Sequence, residues 1–362
     1  MNEMVRTQYA PDVVSPPGET LQEILESRGM SQAELAERTG RPKKTINEIV
    51  KGKAAITPET AIQLERVLGI PAEFWNNRER QYRESLARQE QHQYLARSSE
   101  WVDLFPWSAM EKRGWVTSQK GKAERAEQLL AYFAVASPDA WTEVWRSVAP
   151  AFKRSQAFQS NFAALAAWLR RGEILASRLE TLPFDSQRLQ QLLPRARELT
   201  RETQFTETLV RDCAACGVAL VFVPELPGTH VWGATRWLSP SRALIQLSLR
   251  YKTDDHFWFT FFHECGHVLL HGKRDVFVES EEFSLDEAKE AEANSLARNV
   301  LIPETALKSF LRRRVFTGTA IRQFAFQIGV APGIVVGRLQ HDGLLERTAC
   351  NELKRTLDWP HL

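Results

Sequence analysis

The 362-residue sequence lacks any apolar run close to the roughly 18 residues that cross a membrane. Its first residues, MNEMVRTQYAPDVVSPPGE, contain no apolar signal core. Four cysteines are too few for a disulfide framework. These absences predict a protein of the reducing cytoplasm without a membrane segment. A net charge of +2 also provides no overall basic field for binding nucleic acid.

The charges that are present are unevenly distributed. Between residues 41 and 53, five basic residues stand against one acid, and between residues 275 and 292, eight acids stand against one lysine. Hydrophobic residues make up 43% and charged residues 25%, which is the balance of a soluble globular protein. A chain of this length is expected to form two or three domains.

Residues 19 to 97 contain closely spaced helix signals. Ser31, three residues before Glu34, indicates a capping box, and Gly40 indicates a helix end. Pro42 suits a first helical position, and Thr57 suits a helix cap. The order of helix, tight turn and helix in SQAELAERTGRPKKTINEIV matches a helix-turn-helix. An ordinary helical bundle with a charged surface is the alternative, because residues 1–97 contain 14 basic and 14 acidic residues.

The second helix of this pair carries the polar side chains that are suited to contact DNA. Lysines serve phosphates best, whereas asparagine and threonine can address base edges. The candidate contacts at the ends and on one face of this helix are Arg41, Lys43, Lys44, Thr45, Asn47 and Lys51.

The segment GMSQAELAERTGRPKKTINEIVKGKAAITPETAIQLERVLGIPAEFWNNRERQYR resembles the antitoxin-type repressors of the HigA/XRE family over nearly its whole length. The resemblance implies sequence-specific binding to double-stranded DNA, usually as a homodimer on a palindrome. The family commonly has a small Ser-Arg pair where this chain has Arg41, Pro42 and Lys43, so the base preference does not carry over. A toxin partner is not inferred for this chain.

The periodicity changes after a helical stretch that runs to about residue 200. GVALVFVPEL, THVWGATRWLS and SRALIQLSLR are short apolar, β-branched runs bounded by Gly, Pro or Ser, which predicts three strands. A helix containing HECGH follows them, and SLDEAKEAEANSLARNVLIP is helical up to Pro303. The acidic segment 279–287 between these helices either covers the neighbouring site or forms a solvated loop.

The HECGH sequence has the spacing of a metal site. His263 and His267 are four residues apart, so a helix projects both imidazoles from one face, where they can take adjacent positions around Zn²⁺. Glu264 then points beside the metal and can accept the proton of a water that the metal activates. The bland alternative is a buried helix that happens to carry histidines, since so short a pattern also occurs by chance.

A catalytic zinc site needs a third protein ligand. The helix EAKEAEANSLARNVLIP is the natural source, because its alanines allow a close approach to another helix. Glu292 can reach back to the metal, and Glu290 is its competitor. The two lie about 200° apart around a helix, so both cannot face the ion. Asn294 is placed to support a ligand.

The remaining candidate side chains are assigned lesser roles. His271 lies at the end of the HECGH helix, where we expect it to support the site or face solvent, and His256 is expected to pack or cap. His230 or Tyr251 can help to stabilise a tetrahedral intermediate. Three cysteines are expected in the core, away from the metal: Cys213, Cys216 and Cys265.

HECGHVLLH followed by EAEANSLARNVLIP resembles the signature of the ImmA/IrrE metallopeptidases over roughly residues 205 to 305. The resemblance implies a zincin-like domain of the gluzincin kind, with zinc bound by His263, His267 and Glu292 and with Glu264 as general base. It also implies that the substrate is a regulatory protein, such as a repressor or antitoxin. Leu296 replaces the usual Phe, which is a conservative packing change.

Together these patterns predict a multidomain fold. An all-α helix-turn-helix domain with a connector helix takes residues 1–97, and a helical middle region takes residues 98–204. An α+β metallopeptidase domain with a small mixed sheet takes residues 205–305, and a C-terminal helical module takes residues 306–362, which we expect to pack or to contact a partner. The predicted function is a zinc endopeptidase coupled to DNA binding. The alternative is an XRE-type transcription regulator or antitoxin whose peptidase-like domain senses a metal or ligand without proteolysis.

Overall fold

A computed structural model describes residues 14–146, 156–273, 276–280 and 286–358. The chain divides into two compact units. Residues 1–99 and 122–124 form the first, and residues 100–121 and 125–362 form the second. Residues 281–285, in the middle of the acidic segment, lie outside the described residues, so neither expectation for that segment is tested.

The first unit is all-helical in its described part. It contains α1 (Pro17–Ser27), α2 (Gln32–Thr39), α3 (Lys43–Val50), α4 (Pro58–Leu68) and α5 (Ala72–Arg97). Each helix contributes apolar side chains to one core, among them Leu21, Leu35, Ile46, Leu64 and Trp75. The core has this form because the apolar residues of these helices recur at helical spacing and must be removed from water together.

The helix boundaries of the first unit follow the local signals closely. Ser31 caps α2 by accepting a hydrogen bond from the Glu34 amide at 3.1 Å, and Gly40 ends the helix in a left-handed conformation. Thr57 caps α4 as predicted. Pro42 is the cap of α3 and not its first residue, because the helix begins at Lys43. The predicted helix, turn and helix therefore correspond to α2 and α3.

The second unit contains helices on both sides of a sheet. Before the sheet lie α6 (Ser99–Asp103), α7 (Trp107–Lys112), α8 (Lys122–Phe133), α9 (Pro138–Arg146), α10 (Gln156–Ala176), α11 (Ser186–Glu198) and α12 (Thr206–Ala215). After its third strand lie α13 (Asp254–Leu270), α14 (Glu287–Leu301), α15 (Glu304–Leu311), α16 (Gly318–Ile328) and α17 (Pro332–His341).

The sheet is small and mixed, as predicted. Its strands are β1 (Val218–Phe222), β2 (Val231–Ser239), β3 (Arg242–Leu247) and β4 (Phe277–Ser280), in the spatial order β1-β3-β2-β4. β1 runs parallel to β3, and β2 is antiparallel to both β3 and β4. The first three strands are those expected from the sequence, whereas β4, which ends in the acidic segment, was not expected.

The two faces of the sheet carry different helices. Gln246 on β3 donates to the backbone oxygen of Trp168 on α10 at 2.8 Å. Thr235 on β2 instead donates to the carboxylate of Glu264 on α13. Gln246 pairs with Ala234, and successive strand residues point to opposite faces, so α10 and α13 cover opposite sides. Helix α10, which the sequence analysis assigned to a separate middle region, is thus one layer around the sheet.

The C-terminal helices share the core that surrounds α13. Ile321 and Phe324 of α16 and Ile334 and Val335 of α17 belong to the same buried cluster as Trp258. The predicted packing role of this segment is therefore observed. Among the described residues, no single helix has the length and hydropathy needed to cross a membrane, although α16 and α17 meet that test as a pair bent by 113°.

Candidate metal centre

Helix α13 brings the two histidines of HECGH together inside the protein. His263, Glu264 and His267 are all buried, in a helix whose other faces carry Phe, Trp and Val side chains of the core. The Nε2 atoms of His263 and His267 lie 2.9 Å apart. The spacing of one helical turn that the sequence predicts therefore brings two imidazole nitrogens close enough together to bind one metal ion.

Helix α14 approaches α13 closely at a pair of small residues. A Cβ atom on Gly266 would lie 3.0 Å from the Cα atom of Ala293 and 3.2 Å from its Cβ atom. Ala293 and Ala297 are fully buried, whereas Ala288 and Ala291, which were also expected at the contact, are exposed. The close approach allows a carboxylate in the first turn of α14 to reach the histidine pair.

That carboxylate belongs to Glu290. One of its oxygens lies 3.2 Å from Nε2 of His263, and the other lies 3.5 Å from Nε2 of His267. One nitrogen from each histidine and one oxygen of Glu290 all lie within 4.8 Å of one another. Two imidazole nitrogens and a carboxylate oxygen are a donor set that suits Zn²⁺.

The electrostatics of His267 and Glu290 favour their metal-binding forms. Burial lowers the pKa of His267, and the hydrogen bond to Glu290 only partly opposes this effect. Burial tends to raise the pKa of Glu290, but the hydrogen bonds from His263 and His267 outweigh it and lower this pKa to about 2. A neutral imidazole beside an ionised carboxylate is the state that a divalent cation requires.

Glu292, the expected third ligand, lies elsewhere. Its carboxylate is 3.2 Å from Nε2 of His271, and its side chain is 63% exposed. The reason is the angular position around α14. Glu290 precedes the buried Ala297 by seven residues, which is about two turns, so both lie on the same face of α14. Glu292 precedes Ala297 by five residues and therefore points about 140° away from that face. The buried alanines were the signal in the sequence that could have identified Glu290.

The outer nitrogens of both histidines have hydrogen-bond partners. Nδ1 of His263 lies 3.1 Å from the side-chain oxygen of Asn294, and Nδ1 of His267 lies 2.9 Å from Nδ1 of His271. For a metal ion to bind, each Nδ1 would carry the proton and donate it, and each Nε2 would exchange its hydrogen bond to Glu290 for a bond to the metal. The expected supporting positions of Asn294 and His271 are therefore those in the structure. Phe277 of β4 also stacks on His267, with ring centres 4.0 Å apart.

Glu264, which directly follows His263 in α13, is held by strand β2. Its Oε2 atom accepts a hydrogen bond from the hydroxyl of Thr235 at 2.6 Å, and both side chains are buried. Gly233 lies against the other oxygen, because a Cβ atom there would be 2.4 Å from Oε1 of Glu264. A buried carboxylate with one oxygen held by a hydrogen bond, directly after a candidate ligand in the same helix, is suited to proton transfer.

The other candidate side chains make contacts of their own. The rings of Tyr251 and His256 lie with their centres 4.6 Å apart and their planes tilted by 33°, and His230 lies 2.6 Å from Arg250. The three cysteines expected in the core are buried, and Cys265 is part of the cluster that packs α13. Burial raises the pKa of the Cys265 thiol well above its usual value, which makes the thiol unreactive.

The candidate DNA contacts lie on and around α3. Lys43, Lys44 and Lys51 are exposed, at the start and end of the helix. Thr45 and Asn47 are half-buried. The remaining candidate is held within the unit, since the guanidinium of Arg41 donates to the side-chain oxygen of Gln63 at 2.5 Å.

Two family models match the chain. Residues 21–75 match the family described as helix-turn-helix, and residues 220–339 match the peptidase family described as the IrrE N-terminal-like domain. The second match begins in β1 and ends in α17, so it contains the whole metal centre together with the C-terminal helices.

Several known proteins are similar over short segments. The Escherichia coli (strain K12) HTH-type transcriptional regulator YddM is 38% identical over 61 residues, which is 17% of this chain and 65% of that protein. Virulence-associated protein I of Dichelobacter nodosus is 37% identical over 75 residues, covering 20% of this chain and 69% of that protein. Virulence-associated protein A of the same organism is 40% identical over 52 residues, covering 14% and 51%.

A solved structure of an addiction module antidote protein of the HigA family from Coxiella burnetii is also similar. It is 29% identical and covers 23% of this chain and 90% of that one, with a TM-score of 0.22. With the two family matches, the chain belongs to the proteins that join an XRE-type helix-turn-helix domain to a peptidase domain of the ImmA/IrrE kind.

Proposed function

We propose that the second unit is a zinc-dependent endopeptidase. The observation that carries the proposal is the convergence of His263, His267 and Glu290 within 4.8 Å, on a helix in which the buried Glu264 directly follows His263. The first two residues and Glu264 were expected in these roles, and Glu290 replaces Glu292 as the proposed third ligand.

The donor set fits Zn²⁺ better than a hard cation. Zinc accepts imidazole nitrogen and carboxylate oxygen together in a four-coordinate site, whereas Mg²⁺ and Ca²⁺ favour oxygen ligands. Three protein ligands leave the fourth position for water or substrate, which is the pattern of catalytic zinc. The hydrogen bonds from Nδ1 of His263 and His267 orient both rings for this role.

The proposed chemistry is the addition of water to a peptide bond. When bound, zinc supplies Lewis acidity that polarises the carbonyl and makes water a stronger acid. Glu264 accepts the proton of the attacking water and later delivers it to the leaving amine, so no covalent intermediate forms. Thr235 holds one carboxylate oxygen at 2.6 Å and thereby fixes the direction from which Glu264 acts.

We further propose that the first unit binds double-stranded DNA as part of a homodimer. Exposed lysines at both ends of α3 suit phosphates, and Thr45 and Asn47 suit base edges. The name of one relative, a transcriptional regulator, supports a regulatory role for such a unit. DNA binding in turn supports a cytoplasmic location.

Joined in one chain, the two activities suggest cleavage of a regulatory protein, such as a repressor or antitoxin, which alters transcription. The alternative is a regulator that senses a metal or ligand through the second unit without cutting anything. The burial of Glu264 argues for cleavage, because a sensor site would not need a buried carboxylate directly after one of its ligands in the same helix.

The test incubates zinc-loaded protein with candidate repressors and follows cleavage by mass spectrometry, with and without a chelator. Endopeptidase activity predicts fragments that disappear with chelator and return with added zinc. A gel shift on the same samples addresses the alternative. If chelation changes DNA affinity while no candidate is ever cut, the sensor function is the correct one.

A further inference from the structure

Three aromatic rings form a contiguous surface where β2, the turn after β3 and the start of α13 meet. Tyr251 lies 4.6 Å from His256 between ring centres, and Trp232 stacks on Tyr251 at 6.3 Å with planes 29° apart. Tyr251 is 47% exposed, and His256 is also exposed. The metal site uses none of these rings, which we call the aromatic platform.

The backbone around the platform is unusual at four positions. His230, Tyr251 and Lys252 adopt φ angles of +47°, +69° and +49°, a region that non-glycine residues rarely occupy. Trp232 is the extra residue of a bulge, because its neighbours Val231 and Gly233 pair with consecutive residues of β4. Such features concentrate at functional sites, where they aim a side chain in a required direction.

One hydrogen bond and one ion pair hold the turns that carry the platform. The Arg250 guanidinium lies 2.6 Å from Nδ1 of His230 and 3.3 Å from the carboxylate of Glu225. Its Cζ atom also lies 5.3 Å from the centre of the Tyr251 ring. Arg250 therefore connects the segment before β2 to the turn after β3. Its contacts hold the rings in position in addition to the contacts between the rings themselves.

The platform is aligned with the metal ligands. His256 precedes His263 by seven residues on α13, so the two lie on one face of the helix about 10 Å apart along its axis. Trp232 directly precedes Gly233, which packs on Glu264. An extended peptide advances about 3.3 Å per residue, so the platform lies roughly three residues from the ligand histidines along a bound chain.

We propose that the aromatic platform binds an aromatic side chain of the peptide substrate, roughly three residues from the bond that is cut. This inference rests on the proposed peptidase function. Flat rings favour another ring through stacking or edge contacts. The exposed Lys252 beside the platform and Arg250 beneath Tyr251 disfavour a lysine or arginine side chain by repulsion. The platform thus selects Phe, Tyr or Trp.

The experiment separates binding from cleavage. Zinc-loaded Glu264→Gln protein is titrated by fluorescence anisotropy with two labelled peptide mixtures, identical except that one has phenylalanine where the other has alanine. In parallel, the unmodified protein digests an unlabelled peptide mixture, and mass spectrometry maps the residues around every cut. Tyr251→Ala tests the platform in both assays, and Tyr251→Phe keeps the ring. Tyr94→Ala is the matched control, because Tyr94 is equally exposed at 47% in the first unit.

We expect the phenylalanine mixture to bind roughly two- to tenfold more tightly, with the difference lost in Tyr251→Ala but kept in Tyr251→Phe and Tyr94→Ala. Cuts should be enriched in aromatic residues about three positions away. Equal affinity for both mixtures, or enrichment of acidic residues instead, overturns the inference even if the protein cuts. Tyr251-dependent binding without any cleavage keeps the platform and overturns the peptidase.

Discussion

Nδ1 of His267 lies 2.9 Å from Nδ1 of His271, and Nε2 of His271 lies 3.2 Å from the Glu292 carboxylate. The contacts form a chain in which each imidazole can donate one proton outward, ending on a carboxylate. With its proton on Nδ1 in this chain, His267 would have Nε2 free to bind a metal ion. Two glutamates separated by one residue in sequence thus belong to different layers of the same site.

The first prediction concerns these two glutamates. We expect Glu290→Ala to lose stoichiometric zinc, because it removes one of three ligands. Glu292→Ala should keep zinc, with affinity weakened about 10- to 100-fold, the usual effect of removing a group that orients a ligand. The measurement is metal content after dialysis, followed by competition with a chromophoric chelator. Loss of zinc in Glu292→Ala alone would restore the original expectation for the third ligand.

The choice between these glutamates also shows which features could be predicted from the sequence and which could not. The local signals were strong for α2, α3, β1 to β3 and α13, because caps, turn residues and apolar periodicity act within a few residues. Whether Glu290 or Glu292 faces the histidines depends instead on which side of α14 packs against α13. Gly266 and Ala293 decide that contact, and they lie 27 residues apart in different helices.

Two further features had no local signal. Strand β4 has four residues in an acidic segment and forms by pairing with β2, which is a non-local interaction. The bulge at Trp232 likewise depends on the register between β2 and β4. The division at residues 97, 204 and 305 remains a prediction, although α10 and α17 both pack around the sheet and α13 within one compact unit.

The second prediction concerns the glycine that lies against Glu264. In Gly233→Ala the new methyl would overlap Oε1 of Glu264 and the methyl of Thr260, which is 2.8 Å from the same position. The carboxylate, as the end of a flexible side chain, has to move. We expect zinc content to remain normal and kcat to fall about 100-fold, as for a displacement of about 1 Å in a reacting group. Unchanged kcat would show that the position of Glu264 is not critical.

The third prediction concerns the pH dependence of stability through Asp254. Burial raises the pKa of this carboxyl above 3.8, and hydrogen bonds from Arg355 oppose the rise. Because the pKa of Asp254 is higher in the folded protein than in the unfolded chain, its contribution to stability is full at pH values below the unfolded-state pKa. That contribution is lost as the pH rises through the folded-state pKa. Ionised Asp254 therefore depends on Arg355, whose Nε lies 3.1 Å away.

In Arg355→Met we expect the free energy of unfolding to fall by about 1–3 kcal/mol at pH 7, and by less at pH 4. The reason is that protonation of Asp254 removes the need for an opposite charge. Urea unfolding at both pH values gives the free-energy difference. The control is Asp254→Asn with and without Arg355→Met, where the stability that Arg355→Met removes should not depend on pH. An equal loss for Arg355→Met at both pH values would exclude the electrostatic explanation.

The fourth prediction concerns the exposed lysines of α3. Lys43→Ala and Lys44→Ala should each weaken DNA binding and lower the slope of log affinity against log salt by about 1, because each removes one phosphate contact. Lys308→Ala is the matched control, since Lys308 is an exposed helical lysine of the second unit. DNA affinity is measured at several salt concentrations for each variant. Identical slopes for all three variants would show that Lys43 and Lys44 are not part of the DNA-binding surface.

The central claim is that Glu264 moves a proton at a zinc site built by His263, His267 and Glu290. The most direct measurement compares the unmodified protein with Glu264→Gln on the same regulatory protein, with zinc content determined for both. We predict equal zinc and a rate of cleavage lowered at least 100-fold in the variant. Equal zinc with full cleavage by Glu264→Gln would contradict the account.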